Sequence, residues 1–135
     1  GEVAGVAGTV VDKTKAKKRG DDMFSQEKAG TGNGGYDDNL CEDGEGMRKF
    51  GEDYEPNSGR VMEVWSDLPA VQLYTFNSVS GLVGKDGKDM KPHTAFCLET
   101  QFYPDSPNKP EFPFETVKPG VTFKSTTEYR FSTRK

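Results

Sequence analysis

The sequence predicts an all-β protein, and three observations support this fold class. Residues 121–135 alternate apolar and polar side chains with a period of two, as in a strand with one packed face and one solvated face. Two further apolar segments, residues 60–66 and 70–76, are separated by a short turn that contains Pro69. No segment repeats its apolar residues with the helical period of 3.6 over three turns.

Each predicted strand has a local signal. The segment RVMEVWS, residues 60–66, follows the turn signal Asn57-Ser58-Gly59. The segment AVQLYTF, residues 70–76, suits its hairpin partner. The segment TAFCLET, residues 94–100, is predicted to be a more fully buried strand.

Long loops are predicted between the strands. Residues 28–59 are rich in glycine and acidic residues and show almost no apolar periodicity. Residues 103–113 contain Pro104, Pro107, Pro110 and Pro113, so they can form neither a helix nor a central strand. Loops of this length usually carry function when they are ordered.

The composition indicates a small hydrophobic core and excludes some classes of partner. Only 32% of the 135 residues are hydrophobic and 30% are charged, which fits a loop-rich β protein or part of a larger domain covered by other chain. The net charge is −4, and we interpret the basic run Lys13–Arg19 as a solvated segment, so no nucleic-acid partner is expected. No apolar stretch approaches the ~20 residues of a membrane helix, so no membrane partner is expected either.

No metal site or disulfide scaffold is predicted. Cys41 and Cys97 permit one disulfide, but unbridged and mostly buried thiols are the expected state. His93 is the only histidine, which argues against zinc, and the acids of residues 37–55 lack the spacing of a calcium loop. The first residues do not resemble a signal peptide, so a cytoplasmic location is expected, with a processed secreted protein, which would have lost its signal, as the alternative.

Three places could carry chemistry. Glu99 lies inside an apolar strand, where burial would raise its pKa and suit it to proton transfer, or it is a strand-edge residue that faces solvent. Asp37 and Asp38 follow a glycine-rich segment and could hold sugar hydroxyls or a cation, or merely cap a turn. Gln72 is a polar residue in an apolar strand, where it faces outward or hydrogen-bonds in a cleft.

These residues lie in motifs that resemble the aldose 1-epimerase family. The segment around Glu99 follows the family pattern H-x-x-F-C-L-E-T-Q, then P-D-x-x-N-x-P-x-F-P, and the last strand follows S-T-T-x-Y-x-F. The remaining segments resemble family stretches in the family's order. The resembling segments are GEVAGVAGTVVD (1–12), GYDDNLC (35–41), SGRVMEVWSDLPAVQLYT (58–75), HTAFCLETQFYPDSPNKPEFP (93–113) and VKPGVTFKSTTEYRFS (117–132).

The resemblance implies a fold, a reaction and roles for three residues. Residues 1–135 would form the C-terminal part of a single antiparallel β-supersandwich domain. The reaction would interconvert the α and β anomers of hexoses such as galactose and glucose, without a cofactor. Glu99 would be the general base, and Asp37 and Gln72 would hold the sugar.

The sequence also departs from the family pattern. The family's catalytic histidine, the general acid, would lie upstream of residue 1, because His93 matches a different family histidine that we expect to be structural. Asp38 stands where the family has histidine, and Phe76 stands where it has glycine. The segment Glu42–Pro56 is unlike the family's short connection.

Two main functional hypotheses follow, beside a weaker third in which the family scaffold acts on a different small molecule. In the first, the chain is an epimerase that works with a second chain, which carries the N-terminal part of the fold and supplies the histidine. In the second, it is a non-catalytic carbohydrate-binding or structural relative, a reading that Asp38 and Phe76 favour.

Overall fold

The computed structural model describes residues 2–25 and 34–135. Within these ranges, regular structure consists of strands and three short 3-10 helices, Arg19–Asp21, Lys85–Gly87 and Ser106–Asn108. The strands are β1 (Asp37–Cys41), β2 (Arg48–Glu55), β3 (Arg60–Ser66), β4 (Ala70–Tyr74), β5 (Cys97–Gln101) and β6 (Thr127–Thr133). No helix in the described ranges is long and apolar enough to span a bilayer.

Strands β2, β3 and β6 form an antiparallel sheet with β3 in the centre. On one face, Glu52 and Glu63 lie directly opposite each other, an arrangement that would be repulsive alone. The Lys49 ammonium pairs with both carboxylates, at 3.0 Å from Glu52. Across the strands on this face, the Arg130 guanidinium lies 4.1 Å from the centre of the Trp65 ring. Opposite charges and a cation–π contact therefore hold this register.

The other face of this sheet carries the apolar and aromatic side chains of Met62, Val64, Tyr129 and Phe131, and those on β6 are largely uncovered within the described residues. Val64 is buried, but Tyr129 opposite it is 46% exposed and Phe131 opposite Met62 is 75% exposed. The sequence predicted a packed face for the last strand, and that prediction is wrong for this chain. The reason is that β6 lies at the edge of its sheet, and little of the described chain packs over its apolar side chains.

Strands β1, β4 and β5 form the second sheet, in the order β1-β4-β5. The Thr75 amide donates to the Tyr36 carbonyl and the Glu42 amide donates to the Pro69 carbonyl, so β1 and β4 run antiparallel. The predicted hairpin between residues 60–66 and 70–76 is therefore wrong. Both edges of β3 are already occupied by β2 and β6, so β4 pairs in the other sheet.

The strand predicted at residues 94–100 is shorter and more exposed than expected. It is β5, and Glu99 and Cys97 are exposed on it because β5 is the other edge strand of its sheet. The expectation of buried thiols is likewise wrong: Cys41 and Cys97 are both exposed, and neither is in a disulfide.

The predicted loop of residues 28–59 contains two strands, β1 and β2, while residues 28–33 lie outside the described residues. Charge pairing across the sheet, rather than apolar alternation, stabilises β2. The prediction for residues 103–113 is confirmed, because this segment holds one 3-10 turn and neither a strand nor an α-helix.

The chain divides into two compact units. One comprises Asn39–Val71 and Glu99–Lys135, and the other comprises the described residues of Glu2–Asp38 together with Gln72–Leu98. The divisions fall within β1, β4 and β5, so each of these strands contributes residues to both units.

Candidate active site

Asp37 and Gln72, two of the three predicted site residues, are in direct contact. Asp37 begins β1 and Gln72 is central in β4, and the antiparallel pairing of these strands places the two side chains together. The Gln72 Nε2 donates to Asp37 Oδ1 over 2.8 Å. Since the carboxylate is exposed, its remaining lone pairs are available to a ligand.

The amide of Gln72 has an unused acceptor. Its Oε1 is buried and finds no donor among the described residues. A buried acceptor without a donor costs free energy, so such a group is commonly completed by water or a ligand. The pair therefore offers a carboxylate and a carbonyl, which are the groups that accept hydrogen bonds from sugar hydroxyls.

The backbone before Asp37 is tightly packed. Tyr36 is fully buried, and Gly35 has a φ of 92°, which favours glycine. A Cβ at Gly35 would lie 2.1 Å from Asn77 Oδ1 and 2.6 Å from Thr75 Oγ1. The close approach of these side chains to residues 35–36 was missed in the sequence, where only the run of glycines hinted at it.

Glu99, the predicted base, lies on β5 in the other compact unit. Of the two alternatives left open by the sequence, the structure supports the exposed one, since the carboxylate is not buried in this chain. Two positions along the same strand, Gln101 donates from Nε2 to Asn39 Oδ1 of β1 over 3.0 Å. This bond, also missed in the sequence, ties the end of β5 to β1.

Beyond β5, Tyr103 interacts with Cys41. Burial, together with a hydrogen bond to the Cys41 side chain, raises the pKa of Tyr103 to about 12. The Tyr103 ring also meets Phe112 edge-on, with 5.4 Å between ring centres. These contacts anchor the proline-rich segment to the end of β1.

His93 is tied to the end of β4. Its Nδ1 lies 3.2 Å from the Thr75 carbonyl, and its ring meets Phe24 edge-on at 4.8 Å. Its amide donates to the Phe76 carbonyl, and His93 and Phe76 have φ values of 64° and 53°. Left-handed backbone at two non-glycine residues marks a tightly constrained turn.

A pocket of about 250 Å³ opens beside His93, and none of the three predicted site residues lines it. Its lining residues are Arg19, Gly20, Met23, Thr75, His93, Thr94, Ala95 and Phe96. In residues 2–25 and 34–135, no group of three or more His, Cys, Asp and Glu side chains is arranged to hold a metal ion.

The comparison with known proteins identifies the family. The model of the aldose 1-epimerase family matches residues 1–130. The chain belongs to the aldose 1-epimerase family. It is 39% identical over 134 residues to the galactose mutarotases of Bos taurus and Homo sapiens, covering 98% of this chain and 38% of each relative.

More distant family members also match. The aldose 1-epimerase of Escherichia coli (strain K12) is 30% identical over 90 residues, covering 65% of this chain and 26% of that protein. The chain thus spans about 38% of the length of the galactose mutarotases that it matches. The predicted fold class is confirmed: the described residues are all-β, with two sheets, in a family with the galactose mutarotase-like fold.

Proposed function

We propose that this chain supplies the general base and two sugar-holding residues of an aldose 1-epimerase that interconverts the α and β anomers of hexoses such as galactose and glucose. The Asp37–Gln72 pair carries the proposal. The Asp37 carboxylate accepts from the Gln72 amide, whose own carbonyl oxygen is buried without a donor among the described residues, and both oxygens are suited to sugar hydroxyls. Names of the relatives, galactose mutarotase and aldose 1-epimerase, support the same reaction.

In the proposed reaction, Glu99 removes the proton of the C1 hydroxyl. As the C1 carbonyl forms, the bond between C1 and the ring oxygen breaks, and an acid protonates that oxygen. Rotation about C1–C2 and closure on the other face give the second anomer, with the two proton transfers reversed. A base must reach the proton that it removes, and the exposed carboxylate of Glu99 satisfies this requirement.

The acid is proposed to be a histidine outside these 135 residues, on a second chain that carries the N-terminal part of the fold. Support comes from the aromatic side chains on one face of the β2-β3-β6 sheet, where Phe131 and Tyr129 are 75% and 46% exposed. Elsewhere in the same unit, Phe114 and Phe123 are 47% and 37% exposed. Exposed apolar surface of this kind marks an interaction site, which strands of the remaining domain would fit. A cytoplasmic location belongs to the same proposal.

The test is mutarotation of pure α-glucose followed by polarimetry, using the protein as isolated with any chain that accompanies it. We expect Glu99→Gln to lower the catalysed rate by about 10²- to 10⁴-fold, the usual contribution of a general base. The matched control is Glu111→Gln, which changes an exposed glutamate in the proline-rich segment and should leave the rate unchanged. An unaltered rate in Glu99→Gln would remove Glu99 from the mechanism.

Native mass spectrometry of the same sample tests the second chain. A complex that contains a longer chain supports it, and that chain should carry the histidine. A single species near 14.9 kDa, without mutarotation, would reject the proposed two-chain enzyme.

A second candidate is a carbohydrate-binding relative without turnover. Asp38, in place of the histidine expected from the resemblance, accepts a hydrogen bond from the Asp37 amide over 3.2 Å. Phe76, in place of the expected glycine, keeps a glycine-like φ of 53° and places a half-buried ring at the end of β4. Titration with galactose separates the candidates, because binding without mutarotation favours this one.

A further inference from the structure

A buried hydrogen-bond network surrounds the main chain of Tyr36. The Tyr36 amide donates to Thr75 Oγ1 over 2.7 Å, and the Tyr36 carbonyl accepts from the Thr75 amide at 3.1 Å and from Asn77 Nδ2 at 2.8 Å. The Thr75 hydroxyl in turn donates to Asn77 Oδ1 over 2.7 Å. Both peptide groups of Tyr36 are thereby fixed by two side chains that lie 39 and 41 residues further along the chain.

The Tyr36 side chain is fixed as well. Its hydroxyl accepts from Lys13 Nζ at 2.7 Å and donates to the Val10 carbonyl at 3.3 Å, and Lys13 lies 4.5 Å from the centre of the ring. Tyr36, Thr75 and Asn77 are all at most 2% exposed. In this setting each lost bond leaves a buried polar group unsatisfied, so alternative conformations of Tyr36 are costly.

Asp37 follows Tyr36 directly, and Gln72 precedes Thr75 by three residues. Among the residues that the structure describes, the Asp37 carboxylate has one anchoring bond from another strand, the 2.8 Å bond from Gln72. Its direction therefore depends on the orientation of the peptide that links it to Tyr36. A rotation of that peptide would move the carboxylate away from Gln72 and change the spacing of the two sugar acceptors.

We propose that Thr75 and Asn77 are positioning residues for the sugar site: by locking the Tyr36 main chain, they set the distance between the Asp37 carboxylate and the Gln72 carbonyl. The inference rests on the proposed role of Asp37 and Gln72 in holding sugar. Thr75 and Asn77 are buried and bonded to Tyr36 and to each other, so their side chains are not presented to substrate. Their effect on the sugar is exerted through Asp37.

The test uses Thr75→Val, which removes the hydroxyl and keeps the shape, in the protein as isolated with any accompanying chain. We expect the KM for galactose, or the Kd if there is no turnover, to rise by about tenfold, since one polar contact to the sugar is mispositioned. The value of kcat should change by less than about threefold, because Thr75 does not touch the reacting atoms. Thr75→Ser should restore wild-type KM, and Thr94→Val, the same change at an exposed threonine of the same unit, should have no effect.

A double-mutant cycle distinguishes positioning from general destabilisation. In an Asp37→Ala background, Thr75→Val should raise KM little further, because the group that it positions is absent. Full additivity of the two changes, or an unchanged KM in folded Thr75→Val, would overturn the inference. If Thr75→Val does not fold, Asn77→Ala retains the bond between Thr75 Oγ1 and the Tyr36 amide, and an unchanged KM in this variant would overturn the inference equally.

Failure of the proposed function gives a different result. If Asp37→Ala leaves both KM and Kd unchanged, Asp37 holds no sugar, and the sugar site and the positioning role fall together. If Asp37→Ala raises KM and Thr75→Val does not, only the positioning role is rejected.

Discussion

Gly35→Ala should be one of the most destabilising single-methyl additions in this chain. Its φ of 92° is unfavourable for alanine and costs about 1–2 kcal/mol. The new Cβ would also lie 2.1 Å from Asn77 Oδ1 and 2.6 Å from Thr75 Oγ1, well inside contact distance. Both acceptors must therefore move, and each buried hydrogen bond lost with them costs about 1–3 kcal/mol.

These terms give a loss of about 4 kcal/mol in the free energy of unfolding, if backbone strain and one or two hydrogen bonds are counted. Gly81→Ala is the matched control. Gly81 belongs to the same unit and has a φ of 68°, but nothing lies within 4 Å of the position that its Cβ would take. It should cost only the backbone strain, about 1 kcal/mol.

Urea unfolding of the protein as isolated, followed by circular dichroism, measures both losses. The difference in the free energy of unfolding between Gly35→Ala and Gly81→Ala isolates the cost of the steric clash, because both glycines have a positive φ. A Gly35→Ala variant that is no less stable than Gly81→Ala would refute the close approach of Thr75 and Asn77 to residue 35. It would also weaken the positioning role argued for these two residues.

Three further predictions concern single side chains. Hydrogen bonds from Ser58 and from the Asn57 amide, in the turn after β2, lower the pKa of Glu55 to about 2. The stability that the Glu55 carboxylate contributes to the fold should therefore be complete above pH about 4.5 and lost as the pH falls towards 2. An NMR titration midpoint of Glu55 near 4.5 would contradict this. Tyr103 should ionise near pH 12, and the stability that its neutral side chain contributes should be lost as the pH rises from about 10. Cys41→Ala should lower the ionisation midpoint of Tyr103 only partly, because burial is the larger cause of its raised pKa. Phenolate absorbance measures this midpoint in the wild-type protein and in the variant. Ser66→Ala removes a buried hydroxyl that donates to the Thr126 carbonyl at 3.0 Å and should cost about 1–3 kcal/mol in urea unfolding, whereas Ser132→Ala at an exposed position should cost less than about 0.5 kcal/mol.

The sequence predicted strands well where local pattern determines them. The bounds of β3, Arg60–Ser66, agree with the prediction because a turn signal and an apolar run coincide there. Its pairing was predicted wrongly, because the choice between β4, β2 and β6 as a neighbour depends on contacts between distant parts of the chain. Strand β2 was missed because its sequence, RKFGEDYE, is stabilised by cross-strand ion pairs that no apolar period reveals.

In the candidate site, too, the sequence identified single residues but not the contacts between them. Asp37 and Gln72 could be proposed individually from their settings, and their resemblance to family positions suggested a common cleft. The bond between their side chains and the donor-free Gln72 carbonyl required the structure. Whether Glu99 is buried or faces solvent stayed open in the sequence, because an apolar run does not tell an edge strand from a central one, and the structure places it exposed on an edge strand.

The two halves of the proposed mechanism differ in how far this chain alone organises them. The Asp37–Gln72 pair lies beside a network in which the main-chain groups of Tyr36 are bonded and buried by residues of the same unit. By contrast, Glu99 lies on an exposed edge strand, and its unit exposes apolar rings such as Phe131. On the proposed function, the chain therefore preorganises sugar binding, while proton transfer depends on groups that other chain must bring to Glu99. A folded preparation of these 135 residues should then bind galactose weakly without catalysing mutarotation. Addition of the chain that carries the histidine should restore turnover, because it completes the acid–base pair; the sugar acceptors are already present in this chain.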